Sequence, residues 1–348
     1  MSAPFGLRLG LTRAAPLCRT DLRMSPPELS PRIAALPKAE LHLHLEGSIW
    51  PRTLCALMAR HGVNATEEEV REHYRFVNFQ GFLETFKRVT SFLREPQDYV
   101  LVINDLGERL LEQNVVYAEV TLSVGVILLR KQHPEATLEA LLRATEPFEG
   151  RGLRILWVFD AVRQLGAEAA MAVVESAERC KSRAIVAFGI GGDEMSGPTA
   201  EFRAVYDRAE EIGLHRLIHA GEIGGPDKIR EAIEFLGVER IGHGIAAMND
   251  PALMDLLAER KIPLEICPHS NLRTGALARQ LKRENAQIED HPLPTLFRHG
   301  IPVVLSTDDP ALFQTTLQEE YAGAAQMGLH ESELEQIAKM AFQHQFCL

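Results

Sequence analysis

Glu40-Leu41-His42-Leu43-His44-Leu45-Glu46-Gly47 alternates polar and apolar side chains from Glu40 to Glu46. That is the period of a β-strand, which turns Leu41, Leu43 and Leu45 to one face and His42 and His44 to the other. The α-carbons of two histidines so spaced lie about 6.6 Å apart, close enough for both imidazoles to reach one metal ion. Alone, the pattern fits two polar residues on a solvated strand face equally well. The rest of the chain decides between these readings.

Seven further short apolar runs follow this one: Val115–Leu122, Leu153–Asp160, Ala184–Ile190, Leu214–His219, Arg240–Gly244, Pro263–Ile266 and Pro302–Ser306. Amphipathic stretches such as Glu168–Lys181, Thr199–Ile212, Asp227–Phe235 and Pro251–Arg260 lie between them, with apolar residues at helical spacing. Strand followed by helix, repeated, implies parallel strands with right-handed crossovers. Eight such units predict a (β/α)8 TIM barrel, an α/β fold, with a helical insertion after the first strand. The insertion runs from about Trp50 to Asn114 and includes helices at Gly81–Leu93 and Gln97–Glu112. An open doubly wound sheet is the rival, but no G-x-G-x-x-G follows the first strand. In a barrel of this kind, polar residues at the carboxyl ends of strands mark the site. Strand five runs into His219-Ala220-Gly221-Glu222, strand six into Gly242-His243-Gly244, and strand eight into Ser306-Thr307-Asp308-Asp309-Pro310. Histidines with a carboxylate, and one position left for water, suit a catalytic zinc.

Composition narrows the function classes. The chain has 348 residues, 37 Lys plus Arg against 48 Asp plus Glu, and a formal net charge of −11, so no broad basic field is available for nucleic acid. No apolar run is long enough for a transmembrane helix, so no membrane role is expected. The cysteines (Cys18, Cys55, Cys180, Cys267 and Cys347) are odd in number and scattered, which suits a reducing, cytoplasmic setting rather than a disulfide framework. Oligomeric state is not legible. Residues 1–32 carry Arg8, Arg13, Arg19 and Arg23 with no acid before Asp21. They resemble a transit peptide in composition, although Met24 offers a plainer start, and disorder is expected there in either case. Residues 33–348 are expected to form a single barrel domain.

Taken together, Pro37-Lys38-Ala39-Glu40 through Gly47, Gly191-Gly192-Asp193-Glu194, His219 to Glu222, Gly242 to Gly244, Cys267-Pro268-His269-Ser270-Asn271 and Ser306 to Pro310 resemble the adenosine deaminase family of the amidohydrolase superfamily. The resemblance implies one zinc ion per chain, held by His42, His44, His219 and Asp308. It implies Glu222 as the general acid and His243 as the residue that orients the attacking water. It places His44, Glu46, Gly192 and Asp309 at the substrate, with Gly192 meeting N3 of a purine and Asp309 meeting N7. The implied reaction is hydrolytic deamination of the 6-amino group of a small-molecule purine nucleoside, adenosine to inosine and ammonia, by a zinc-activated hydroxide. His269 is left open between a substrate contact and a rim position. His61, His73, His133, His215, His291, His299, His330 and His344 are expected to be surface or packing residues, and Cys267 a buried small hydrophobe.

Two positions depart from the family pattern. Glu46 stands where enzymes acting on adenosine usually have Asp, and Gly189 where strand four usually carries Asp. Both touch the sugar side of the pocket. The alternatives are therefore an aminodeoxyfutalosine deaminase, acting on a 5′-extended adenosine whose carboxylate Arg273 could meet, and then an adenine deaminase. Adenine deaminases also carry Glu after the first-strand histidines but typically have Asp-His-Gly at strand six. A second metal bridged by a lysine at the end of strand four is not expected, because Phe188-Gly189-Ile190-Gly191 stands there. The H-x-E and P-C-x-x-C patterns of the deaminases that act on flipped bases do not occur either.

Overall fold

The computed structural model describes residues 29–347. The expectation for the N-terminal extension lies outside the described residues as far as 28. The described chain opens with a short helix, Pro31–Ala34, whose first turn is capped by Ser30.

Eight strands follow: β1 (Lys38–His44), β2 (Val115–Leu122), β3 (Arg154–Val162), β4 (Ile185–Gly191), β5 (His215–Ala220), β6 (Arg240–His243), β7 (Leu264–Ile266) and β8 (Val303–Leu305). Their order in the sheet is their order in the chain, and each neighbouring pair is parallel. The (β/α)8 barrel expected from the sequence is the fold observed. The seam between β8 and β1 is made by a bridge between Leu43 and Asp308. There the Asp308 N–H donates to the His42 carbonyl at 3.0 Å, and the His44 N–H donates to the Asp308 carbonyl at 2.8 Å. The His42 N–H donates to Ser306 Oγ at 3.2 Å.

The alternation predicted for β1 is only partly kept. Leu43 and Leu45 join the large apolar cluster that also holds Trp157, Phe159 and Phe188. Leu41 packs instead with Ala39, Tyr117, Leu156, Val158 and Leu217. The pairing of β1 with β2 shifts register between Glu40 and Leu43, and an extra residue of this kind re-aims the side chains beside it.

The insertion between β1 and β2 contains the expected helices, at Phe79–Thr90 and Pro96–Glu112. Asn78 caps the first by accepting the Gly81 N–H at 2.9 Å. Its buried Phe82 stacks on Phe313 with ring centroids 5.1 Å apart, tying this helix to the segment that follows Asp308 and Asp309. Burying a ring of that size contributes roughly 1.5–3 kcal/mol. Among the described residues no helix is long and apolar enough to cross a membrane, and the described cysteines, Cys55, Cys180, Cys267 and Cys347, are free thiols, with Cys267 buried as expected.

Candidate active site

The polar residues singled out in the sequence converge at the carboxyl ends of the strands. His42 and His44 come from β1, His219 from β5 and His243 from the last position of β6, while Asp308 stands just beyond β8. His42, His44, His243 and Asp308 are buried. Asp308 and His243 both adopt the left-handed conformation, with φ of 64° and 61°. Non-glycine residues take that conformation only where the surroundings enforce it, and such strain concentrates at functional positions. Two glycines serve close approach. A β-carbon on Gly47 would fall 1.7 Å from Asp309 Oδ1, and one on Gly242 would fall 2.7 Å from His42 Cε1.

Hydrogen bonds fix which ring nitrogens are free. His42 Nδ1 donates to Glu265 Oε2 at 2.8 Å, leaving Nε2 buried with no hydrogen-bond partner. His219 Nδ1 donates to the Ile190 carbonyl at 3.2 Å, again freeing Nε2. Three contacts then outline one small space: His42 Nε2 to Asp308 Oδ1 at 3.4 Å, His44 Nε2 to Asp308 Oδ1 at 3.3 Å, and His44 Nε2 to His219 Nε2 at 3.3 Å. Ligands bound at the usual 2.0–2.1 Å to a tetrahedral ion lie about 3.4 Å from one another, so these distances match the edges of a metal site. The free Nε2 atoms of His42 and His219 both belong to this space, which suits a cation.

His243 belongs to the same cluster, since one atom each of His42, His219, His243 and Asp308 lies within 4.8 Å of the others. Its hydrogen bonding sets it apart from His42 and His219, whose Nε2 atoms are free. The Leu293 N–H donates to His291 Nδ1 at 3.1 Å, which puts the His291 proton on Nε2. His291 Nε2 donates to Asn271 Oδ1 at 3.2 Å, and Asn271 Nδ2 donates to His243 Nδ1 at 3.1 Å. The proton of His243 is therefore on Nε2, which is 3.6 Å from Glu222 Oε2 and 3.9 Å from Asp308 Oδ2. A nitrogen carrying a proton donates to an oxygen and does not bind a metal. Asp308 divides its oxygens accordingly: Oδ1 faces His42 and His44, and Oδ2 accepts from Ser270 Oγ at 2.7 Å.

Glu222 lies in the turn after β5, which Glu194 holds by accepting the N–H groups of Gly221, Glu222, Ile223 and Gly224. Thr274 Oγ1 donates to Glu222 Oε1 at 3.3 Å. Burial pushes the Glu222 carboxyl up to about 8, and the charges of Asp308 and Glu194 add to the effect. Burial also raises Asp309 well above the usual carboxyl range, reinforced by the charge of Asp308. Burial works against ionisation of Asp308 too, but the surrounding histidines outweigh it and hold that carboxyl well below the usual range. His44 and His219 are pushed down to about 3, chiefly by burial, and are neutral imidazoles as ligation requires. Burial opposes a charge on His42 as well, but Asp308 and Glu265 outweigh it and raise His42 to about 10. The acids thus favour positive charge in this corner, which fits a cation. Glu265 is itself held down to about 2: burial opposes this, and Arg240 and His42 prevail.

A cavity opens beside the cluster. Its lining includes His44, His219, Glu222, His243, Asp308, Asp309, Gly191 and Gly192, with Phe79, Phe82, Leu83, Phe86 and Lys87 from the insertion helix. Glu46 is buried behind this lining, where its Oε1 accepts the N–H of the cavity residue Ser123 at 3.0 Å and its Oε2 has no partner. His269 pairs with Glu320 at 2.9 Å and does not line the cavity, and neither does Arg273, whose guanidinium lies over the Phe76 ring.

Sequence reasoning missed five members. Asn271 and Ser270 were quoted as part of a motif without a role, and His291 was read as surface or packing. Glu265 had a signal, because an acid inside the apolar strand Leu264–Ile266 must be paired if it is buried. Asp160 had one too: it stands near the carboxyl end of β3 and lines the cavity.

A family model described as adenosine deaminase matches residues 37–348. The chain is 36% identical over 328 residues to an aminodeoxyfutalosine deaminase of Streptomyces coelicolor, an alignment covering 92% of this chain and 83% of the other. It is 35% identical over 312 residues to an adenine deaminase of the same organism, covering 88% and 89%. Among solved structures, the adenine deaminase of Arthrobacter aurescens superposes with a TM-score of 0.82 at 30% identity, covering 90% of this chain and 95% of that one. Motifs, barrel and relatives agree along nearly the whole described chain, which belongs to the adenosine deaminase family, metal-dependent hydrolases acting on carbon–nitrogen bonds.

Proposed function

We propose that this protein hydrolytically removes the 6-amino group of an adenine nucleoside extended at its 5′ position, of the aminodeoxyfutalosine type, with one zinc ion per chain. The arrangement that carries the chemistry is the split between free and protonated imidazole nitrogens around Asp308. His42, His44 and His219 would hold the metal with Asp308 Oδ1. A bound zinc ion lowers the pKa of water to about 7 and so supplies a nucleophile at neutral pH. His243 Nε2–H is placed to hold and aim the attacking oxygen, and Asp308 Oδ2 to share its proton. Glu222, kept protonated by burial, gives a proton to the purine N1 so that C6 becomes electrophilic. Asp309, also protonated, donates to N7, which is an acceptor. The Gly192 N–H is assigned to N3.

On the substrate, the relatives shift the weight from adenosine, the reading favoured by sequence, to its alternatives. The similar curated proteins bear the names aminodeoxyfutalosine deaminase and adenine deaminase. Two features support the extended nucleoside. The aromatic wall of Phe79, Phe82 and Phe86 with Lys87 offers apolar contact and one positive charge to a substituent beyond the base. Glu46 commits Oε1 to the Ser123 N–H and leaves only Oε2 free, so the sugar-side position that departs from the adenosine pattern offers a single oxygen. Adenine is the second reading, supported by the 35% relative. Against it, the absence of a β-carbon at Gly242 leaves His42 the space that the Asp typical of adenine deaminases would take.

The test is deamination by zinc-loaded protein, followed by the adenine-to-hypoxanthine absorbance change with aminodeoxyfutalosine, adenine and adenosine in parallel. The highest kcat/KM is expected for aminodeoxyfutalosine. Faster turnover of adenine or adenosine would overturn the extended substrate, and silence on all three would overturn the deaminase reading for this chain.

A further inference from the structure

Asp160 is a buried carboxylate that no step above employs. It is 4% exposed, lines the cavity, and its Oδ1 has no hydrogen-bond partner. In the β3–β4 register it stands opposite Gly189. A β-carbon on Gly189 would sit 3.5 Å from Asp160 Oδ1, and one on Gly191 would sit 3.4 Å from Oδ2 and 3.3 Å from His219 Cε1. The nearest neighbour of the Gly189 β-carbon would be Leu217 Cδ1 at 2.7 Å, so Leu217 fills the space at position 189, and the Asp160 carboxyl, supplied by β3, lies beside it at contact distance. That carboxyl lies beside Gly191 and Gly192, on the side of the cavity assigned to the purine N3.

An unpartnered buried acceptor of this kind is costly unless a ligand supplies a donor. On the N3 side of a purine nucleoside the available donors are the ribose hydroxyls, with the 2′-hydroxyl nearest to N3. We propose that Asp160 is a specificity-determining residue that accepts a hydrogen bond from a ribose hydroxyl, so that the enzyme selects ribonucleosides over deoxynucleosides and over the free base. This inference rests on the deaminase reading above and adds the sugar contact to it.

The experiment compares wild type, Asp160→Ala and Asp160→Asn, all zinc-loaded, with adenosine, 2′-deoxyadenosine, 3′-deoxyadenosine and adenine. Both kcat/KM and calorimetric affinity are measured. Wild type is expected to prefer adenosine to at least one deoxynucleoside by about 10–100-fold, the range for leaving a buried polar group without its partner. In Asp160→Ala that preference should fall to within about twofold, through KM more than kcat, with zinc content unchanged. Asp160→Asn, which keeps an acceptor oxygen, should restore part of it. Equal losses on all four compounds, or loss of zinc, would make Asp160 a structural residue and overturn the proposal. Undiminished discrimination in Asp160→Ala would overturn it while leaving the deaminase reading intact. Failure of wild type to bind any of the four while it turns over aminodeoxyfutalosine would overturn the proposal and leave the deaminase reading intact; silence on aminodeoxyfutalosine as well would overturn both.

Discussion

Glu222 concentrates the chemistry at the scale of one residue. Its carboxyl is buried, bonded to Thr274, and 3.6 Å from the protonated nitrogen of His243. Glu222→Gln keeps the shape and the Thr274 contact but has no acidic proton to give. It should lower kcat by at least about 100-fold, the range for a positioned general acid, while elemental analysis still finds one zinc per chain. Near-normal turnover would mean that another group protonates the base. The same residue predicts a pH dependence. The reactive form carries the proton and burial raises the pKa to about 8, so activity is present below that value. It is lost as the pH rises through it, and kcat/KM should therefore show an alkaline limb that is absent from the residual activity of Glu222→Gln. Glu222 was legible in the sequence because its neighbours form a dense motif. Asn271 and His291 were not read together, because 20 residues separate them and only the fold brings their side chains into contact.

At the scale of elements, the turns that follow the strands set proton positions, and the insertion helix sets the substrate wall. The hydrogen-bond chain that begins at the Leu293 N–H has a single polarity, since a backbone N–H can only donate. Asn271→Leu removes its middle link and frees His243 to take the other tautomer. We expect kcat to fall about tenfold or more with KM changed little, and circular dichroism unchanged. A purely structural Asn271 would instead lower the melting temperature and leave kcat intact. The helix Phe79–Thr90 offers Phe86, which is half-buried and faces the cavity. Phe86→Ala should reduce kcat/KM for an extended nucleoside by about 10–100-fold, the value of burying a ring, and leave adenine within about twofold. Parallel loss on both would place Phe86 in the fold rather than at the substrate. The eight strands were legible because each is a short apolar run between helical patterns. The register shift in β1 was not, since it arises from pairing with β2 and leaves no trace in the alternation of Glu40 to Glu46.

At the scale of the molecule, the barrel seam and the metal cluster are built from the same residues. Asp308 gives its backbone to the bridge with Leu43 and its carboxylate to the histidines. Asp308→Ala should lose zinc on dialysis and, because it removes the acceptor of Ser270 Oγ and puts Ala at a left-handed seam position of φ 64°, also lower the melting temperature below that of the metal-free wild type. A variant that lost zinc with no further loss of stability would separate the two roles. Sequence placed the candidate ligands at strand ends but could not reveal this double use, which depends on where the last strand meets the first. The seam also joins positions far apart in the chain, with His42 and Ser306 264 residues distant. Contacts of such separation carry a large loop-closure entropy and tend to form late in folding. The nascent chain would then acquire its catalytic centre only when the final strand docks, so that an incompletely folded molecule is inert, and recovery of activity during refolding reports closure of the whole barrel.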